Sequence, residues 1–486
     1  MSFKQKVFIN TLWSLGGQIG NSLVQLIANI IFARFLTPLE FGQLGIVMFF
    51  VLFSNVLVEG GLGGALVRKN EATKTDFSTV FLFNFFISIL LYGILFFNAN
   101  VIANYYNDQQ LKGILKVIGI ILIINSLNFV QNTRLVKDLQ FHKITKYRLT
   151  SITLANIIGI LLVIYNFGVW ALVISMIMNP LIMAIILWTF EGPVGKLRFS
   201  INSFKGLYNF GINTTLASII DTTFNNIYQL ILGKYFSISE VGLFFQAKKL
   251  QDVPNSMIFG TTNSVIFSSL SKLQYDAKKF NRVYFKIISH FSVLMGLVTL
   301  LVIVFSKQII LLLFGMKWIS SAPYLVILAS ASFFYVHEMF NRVIFKTFNK
   351  TNIILKLELV KKSLLIISIV LGILSLNIKI LLIGFIIISG ISYFINYFYS
   401  RKILATKSWN ELISLFKVIL AVLGTLILVH ITSLCINLLG FYYLLLVPLT
   451  ILLYILILLL LKFRIEIKQI KALFPLMNGQ DRNLTV

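Results

Sequence analysis

The chain is short of almost everything a soluble protein displays. Only 12% of its 486 residues are charged, with 16 Asp and Glu in all, while 58% are hydrophobic. Mean hydropathy is +0.90. So little charge cannot coat the surface of a soluble protein of this length, and a soluble fold is excluded. A single cysteine, Cys435, excludes an internal disulfide and a thiolate metal cluster. The seven prolines form no Pro-rich linker, and no Ser-rich one is present. The longest stretches between apolar runs reach about 15 residues, too short for an extramembrane domain. Enzyme signatures are missing too: no GxxxxGK[ST] phosphate loop, no HExxH, no GxSxG and no aspartate pair in an exposed loop. No catalytic residue, metal site or cofactor is therefore expected, and any use of ATP would need a separate subunit.

What is present is a series of long apolar runs. Stretches of roughly 20 apolar residues, enough to cross about 30 Å of hydrocarbon, recur from end to end. Lipid cannot satisfy backbone N–H and C=O groups, so spans must be helices or barrel strands. Barrel strands would be about ten residues of strict alternation, which these runs do not show. The expectation is an all-α, polytopic membrane protein. About fourteen helices are predicted, at 9–33, 42–67, 79–99, 112–133, 149–166, 168–190, 206–232, 241–269, 284–305, 321–345, 357–375, 379–400, 411–436 and 441–461.

The net charge of +26 suggests nucleic acid until the cations are placed. Loops between the spans alternate: one side collects roughly thirty Lys and Arg against about seven on the other, which makes the rich side cytoplasmic. Both termini fall on that side, and no nucleic-acid partner is expected. The start, MSFKQKVFIN, reads as a retained first helix without a cleavage signal. The basic tail 462–471 (KFRIEIKQIK) reads either as a charged stop or as a segment lying on anionic lipid.

A repeat organises the chain. ARFLTPLEFGQLG (33–45) is echoed without gaps by GKYFSISEVGLFF (233–245), an offset of 200 residues. The helices that feed these loops match as well. Ser14, Gln18, Asn21 and Gln25 lie 200 positions before Thr214, Ser218, Asp221 and Asn225, each quartet on one helix face. Such quartets either glue helices together by hydrogen bonds or line an aqueous cavity. Six spans separate the copies, so both run the same way through the membrane, and the parallel repeat is the mark of a transporter. Residues 1–200 (helices 1–6) are expected to form one pseudo-symmetric lobe and 201–405 (helices 7–12) the other. Residues 406–486 add two helices and the basic tail.

Ionisable groups within spans are expensive and therefore candidates for function. Asp221 lies roughly 18 Å below the outer helix end, Lys248 and Lys249 about 12 to 14 Å down the next helix, and Asp252 about 18 Å. The lysines read as an anion site, or as one half of a structural ion pair with Asp221. Glu59, just before GGLGG (60–64), reads as a coupling carboxylate or as a helix-end group hydrated from inside. Glu338 and Arg342 are i, i+4 and can pair, with His337 beside them. Asp252-Val253-Pro254 marks a kink in mid-span.

The chain resembles a known family in four motifs: RFLTPLEFGQLG (34–45), EGGLGGALVRKNEATKTDFSTVFLFN (59–84), PNSMIFGTTNSVIFSSLSKLQYD (254–276) and FGMKWISSAPYLVILA (314–329). They are similar to those of Wzx-type polysaccharide flippases, in the polysaccharide-transporter branch of the multidrug/oligosaccharidyl-lipid/polysaccharide (MOP) exporter superfamily. The resemblance implies two six-helix lobes in a MATE-like V and alternating access by rocking. It implies transfer of undecaprenyl-pyrophosphate-linked oligosaccharide from the inner to the outer leaflet of the bacterial plasma membrane, for O-antigen, capsule or exopolysaccharide. Membrane lipids and other polysaccharide-assembly proteins are the partners it implies. A cationic cavity for the pyrophosphate and sugar would draw on Lys248, Lys249, Arg34 and Arg342, with Gln18, Asn21, Gln25 and Asn225 as polar lining. Coupling to H+ or Na+ would fall to Asp221, Glu59, Asp252 or Glu338. The alternatives are a lipid II flippase, a cation-coupled multidrug exporter of the same superfamily, and a membrane polysaccharide polymerase or ligase. The last should carry a large outward loop, and none is present.

Overall fold

The structure is a computed structural model that describes residues 3–69, 71–261, 266–404, 409–435, 442–461 and 463. Every regular element among the described residues is helical. Packing groups the chain into two units, Met1–Val253 with Ile310–Ser321, and Pro254–Ile309 with Ala322–Val486. The first contains α1 (Phe3–Phe35), α2 (Pro38–Glu59), α3 (Leu62–Arg68), α4 (Lys74–Tyr106), α5 (Gln110–Ile118), α6 (Ile120–Lys137), α7 (Phe141–Ile164), α8 (Val169–Phe190), α9 (Ile201–Tyr235) and most of α10 (Ile238–Thr261). The second contains α11 (Phe267–Ser271), most of α12 (Ala277–Leu313), α13 (Ala322–Thr347), α14 (Thr351–Leu374), α15 (Ile378–Ile403), α16 (Asn410–Cys435) and α17 (Tyr442–Leu460). The boundary at Val253–Pro254 falls inside α10, on the Asp252-Val253-Pro254 step.

Each expected span falls on one observed helix or on two consecutive ones. Among the described residues, ten helical stretches are long and apolar enough to cross a membrane. The helices α9, α10 and α14 are long but lie outside that set. They carry Asp221; Lys248, Lys249 and Asp252; and Lys356, Glu358, Lys361 and Lys362. Asp221, Lys248, Lys249 and Asp252, singled out in the sequence, are among the groups that lower the apolarity of their helices.

The 200-residue echo has a local meaning. Thr37 starts α2 with a capping box: its hydroxyl accepts from the Glu40 N–H, and the Glu40 carboxylate accepts from the Thr37 N–H at 2.8 Å. Ser237 plays the matching part at α10, its hydroxyl accepting from the Glu240 N–H at 3.1 Å. Where α2 and α10 begin they cross at backbone contact. A methyl group on Gly42 would run into the Ile238 carbonyl, and one on Gly242 into the Pro38 carbonyl. Both pairs are related by 238 − 38 = 242 − 42 = 200, so the contact is reciprocal, like one across a two-fold axis. Only glycine allows so close an approach.

The segment 310–321 packs against this crossing. Trp318 is fully buried, donates its indole N–H to the Ala33 carbonyl at 2.7 Å and meets Phe41 edge-on at 5.2 Å. Arg34 caps the end of α12, donating to the carbonyls of Leu312 and Leu313. Toward the lysine-rich ends of the helices, Thr73 and Asp76 form a second capping box at α4, and Lys69 pairs with Asp76 at 2.7 Å.

The second unit is centred on an aromatic and aliphatic cluster that includes Phe280 and Tyr284 of α12, Phe340 of α13, Tyr393 and Tyr397 of α15, Val418 of α16 and Tyr454 of α17. Polar contacts stitch through it. His337 and Ser292 share a hydrogen bond of 2.6 Å, and the Tyr454 hydroxyl donates to the Val293 carbonyl at 2.9 Å.

Candidate functional site

Polar side chains of α1, α2, α9 and α10 make the candidate site, and all of them belong to the first unit. On α1, Gln25 is exposed and Gln18 and Asn21 are half-buried; on α9, Thr214, Asp221 and Asn225 are exposed and Ser218 is half-buried. Two matching polar faces are therefore open to whatever surrounds them.

The break between α2 and α3 builds part of this site. Gly60 and Gly61 both take left-handed backbone angles, with φ of 54° and 64°. Such angles end one helix and start the next at little strain only in glycine. The break lies directly on α9: a side chain at Gly61 would collide with the Gly211 backbone, and one at Gly211 with the Gly60 carbonyl at 2.5 Å. Beside it lies a cavity of about 190 Å³ lined by Glu59, Gly61, Gly63, Thr214, Thr215 and Ser218, with Val56 and Phe129 as its apolar wall. That volume holds about six waters. Glu59 makes no hydrogen bond or ion pair among the described residues, whereas Thr215 gives its hydroxyl hydrogen to the Gly211 carbonyl.

Lys248 and Lys249 stand on adjacent faces of α10. The Lys248 ammonium donates to the Asn225 carbonyl at 2.5 Å, and Asp252, one turn along the same helix, is close enough to act on its charge. Lys249 is exposed and donates to Asn29 Oδ1 at 3.2 Å, with the ring of Phe245 at 4.8 Å and that of Phe41 at 5.7 Å. An ammonium over ring faces keeps part of its stabilisation out of water and leaves N–H donors for a ligand.

Residues 31–323 match the family model described as polysaccharide biosynthesis protein, well over half of the chain. The chain belongs to that family. The match opens just before the first copy of the echo and closes just after the FGMKW segment, so it spans both glycine crossings and both lysines. An uncharacterized membrane protein in the cps region of Klebsiella pneumoniae is 25% identical over 68% of this chain and 69% of its own. The succinoglycan biosynthesis transport protein ExoT of Rhizobium meliloti (strain 1021) is 22% identical over 66% and 65%. The lipopolysaccharide biosynthesis protein WzxC of Escherichia coli (strain K12) is 24% identical over 68% and 67%. In fold, the chain resembles the lipid II flippase MurJ in its inward closed conformation, with a TM-score of 0.70 and 16% identity over 96% of this chain and 99% of that one. It also resembles an inward-facing multidrug resistance MATE family transporter of the MOP superfamily, with a TM-score of 0.59 and 14% identity over 81% and 98%. This member of the polysaccharide biosynthesis family is a multi-pass membrane protein with the fold of the MurJ and MATE structures.

The remaining candidates have partners of their own. Arg34 is engaged with the α12 carbonyls described above. Arg342 pairs with Glu338 and Glu358, and Lys361 pairs with Glu338 at 2.8 Å, so Glu338 is fully buried between two cations. Sequence reasoning missed Glu411. It is buried, pairs with Arg401, and accepts from Asn341 at 3.2 Å and from the Tyr393 hydroxyl at 3.3 Å. The only sequence signal was an acid and a base on either side of one short loop. The tail 462–471, apart from Phe463, lies outside the described residues, as does the 262–265 part of the third motif.

Proposed function

We propose that this transporter moves undecaprenyl-pyrophosphate-linked oligosaccharide from the inner to the outer leaflet of a bacterial plasma membrane, by alternating access between lobes drawn from 1–200 and 201–405. In this reading the lysine-rich loops and both termini are cytoplasmic, and the Arg34/Lys234 end faces outward. Lys248 and Lys249 carry the reading: two ammonium groups stand beside an accessible polar helix face. A diphosphate is the substrate part that most needs such cations, because an unpaired anion at the midplane is costly. Lys248 rests on the Asn225 carbonyl and near the Asp252 charge. The incoming diphosphate would take their place.

Gln18, Asn21, Gln25 and Asn225 would exchange hydrogen bonds with sugar hydroxyls, while the prenyl chain stays in lipid. The relatives named for succinoglycan and for lipopolysaccharide support a saccharide cargo, and the midplane cations weigh against a cationic drug. Glu59 is the first choice for a coupling carboxylate, because it has no cationic partner among the described residues and lines a cavity with three hydroxyl-bearing residues. Asp252 and Asp221 come next. Glu338 comes last, since Arg342 and Lys361 already balance its charge. No cofactor enters this reading.

Replacing Lys248 and Lys249 together by Ala should abolish surface polysaccharide in the producing cell, with the protein still in the membrane and lipid-linked units accumulating inside. Normal polysaccharide in that variant overturns the assignment; accumulation of lipid II in its place moves it to the lipid II reading. Glu59→Gln should remove the dependence of transport on a proton or sodium gradient, and an unchanged dependence would acquit Glu59.

A further inference from the structure

A second cavity lies outside the candidate site, between α2, α4 and α9. It has a volume of about 450 Å³, and its inner wall is apolar, from Phe50, Val101, Ile227 and Ile231. Its other end is different: Tyr105, Lys234 and Tyr235 stand there, all exposed. Ile227 and Lys234 are seven residues apart on one helix, so the slot runs about 10 Å along α9 from a polar mouth to an apolar floor. Tyr and Lys at the mouth are the side chains that settle at the headgroup level of a bilayer. The Lys234 ammonium donates to the Tyr105 carbonyl at 2.8 Å and lies over the Tyr105 ring at 4.0 Å. That uses one of its three N–H donors in a hydrogen bond. No carboxylate lines the slot.

The repeat offers a comparison. The equivalent of Lys234 in the first copy is Arg34, where the buried Trp318 of segment 310–321 sits on the Ala33 carbonyl. Arg34 gives its donors to the α12 carbonyls, whereas Lys234 stands at the mouth of the apolar slot. Water is a poor occupant of so apolar a space, and a lipid chain is the material at hand.

We propose that the slot is a binding site for an anionic glycerophospholipid of the outer leaflet, one acyl chain lying against Phe50 and Ile231 and the phosphate against Lys234. The much longer undecaprenyl chain would leave most of its length outside a slot of this depth, so the resident is membrane lipid and not the cargo. This site is separate from the Lys248/Lys249 site, and its test reads lipid binding alone.

The test uses the full-length protein, reconstituted in an equal mixture of phosphatidylglycerol and phosphatidylethanolamine, released in mild detergent and weighed by native mass spectrometry. Wild type should retain phosphatidylglycerol over phosphatidylethanolamine by about fivefold, the preference that one interfacial Lys confers. Lys234→Gln should lose that preference but still retain lipid through the chain. Val101→Trp, at a position 63% exposed and so tolerant of a larger side chain, should retain one lipid fewer. Equal retention of phosphatidylglycerol by wild type and Lys234→Gln overturns the proposal, as does an unchanged lipid count in Val101→Trp. A retained polyprenyl phosphate in wild type from a producing strain also overturns it, and would assign the slot to the cargo's tail.

Discussion

Arg34 and Lys234 occupy the same place in two copies of one motif, yet their surroundings differ. Arg34 closes the end of α12, beside the buried Trp318. Lys234 leans on one tyrosine at the mouth of an open slot. The local mechanics are shared: a hydroxyl cap at Thr37 or Ser237, then a glycine that lets α2 and α10 cross at backbone contact. The duplicated residues therefore serve the crossing, and the residues that diverged serve the surroundings. The midplane follows the same rule, since Asn21 has become Asp221 and Met48 and Phe49 have become Lys248 and Lys249. Duplication supplied the frame, and divergence placed the charge in one copy.

The largest expected effect on that comparison comes from Trp318→Ala, which removes the side chain that ties segment 310–321 to Ala33 and Phe41 in the first copy. Removing a fully buried Trp should destabilise the protein by about 3 to 5 kcal/mol, seen as a lower thermal unfolding midpoint in detergent. An unchanged midpoint would mean that Trp318 does not hold segment 310–321 to the first copy. Next in size are Gly42→Ala and Gly242→Ala. Each drives a methyl group into a backbone carbonyl and should cost about 1 to 3 kcal/mol by overpacking. The sharper expectation is equality: if one substitution is harmless and the other severe, the two-fold character of the crossing is lost.

Much of the fold was legible in the sequence, because hydrophobic length is read directly by lipid. The prediction at 149–166 meets α7 at Phe141–Ile164, and that at 168–190 meets α8 at Val169–Phe190. Helix ends were less legible. The run at 284–305 became Ala277–Leu313, since the helix continues past the apolar stretch through Lys278, Lys279 and Arg282. Hydropathy marks where lipid is, and hydrogen bonding decides where a helix stops. GGLGG stood out in the sequence, but its two left-handed residues and its contact with Gly211 depend on a helix about 150 residues away.

The candidate site divides in the same way. Lys248, Lys249 and Asp252 were visible as charges in an apolar span. The hydrogen bond from Lys248 to the Asn225 carbonyl was not, because it is made by side-chain geometry between two helices. Glu411 was invisible for a further reason. A carboxylate at the edge of a loop looks solvated until Arg401, Asn341 and Tyr393 are seen around it.

The central claim is that Lys248 and Lys249 draw a diphosphate across the membrane. Its most direct measurement is flipping of a defined undecaprenyl-pyrophosphate-linked oligosaccharide in proteoliposomes, wild type against the Lys248→Ala, Lys249→Ala double variant. The account expects transport by wild type and none above protein-free liposomes by the variant. Equal rates from the two proteins would contradict it.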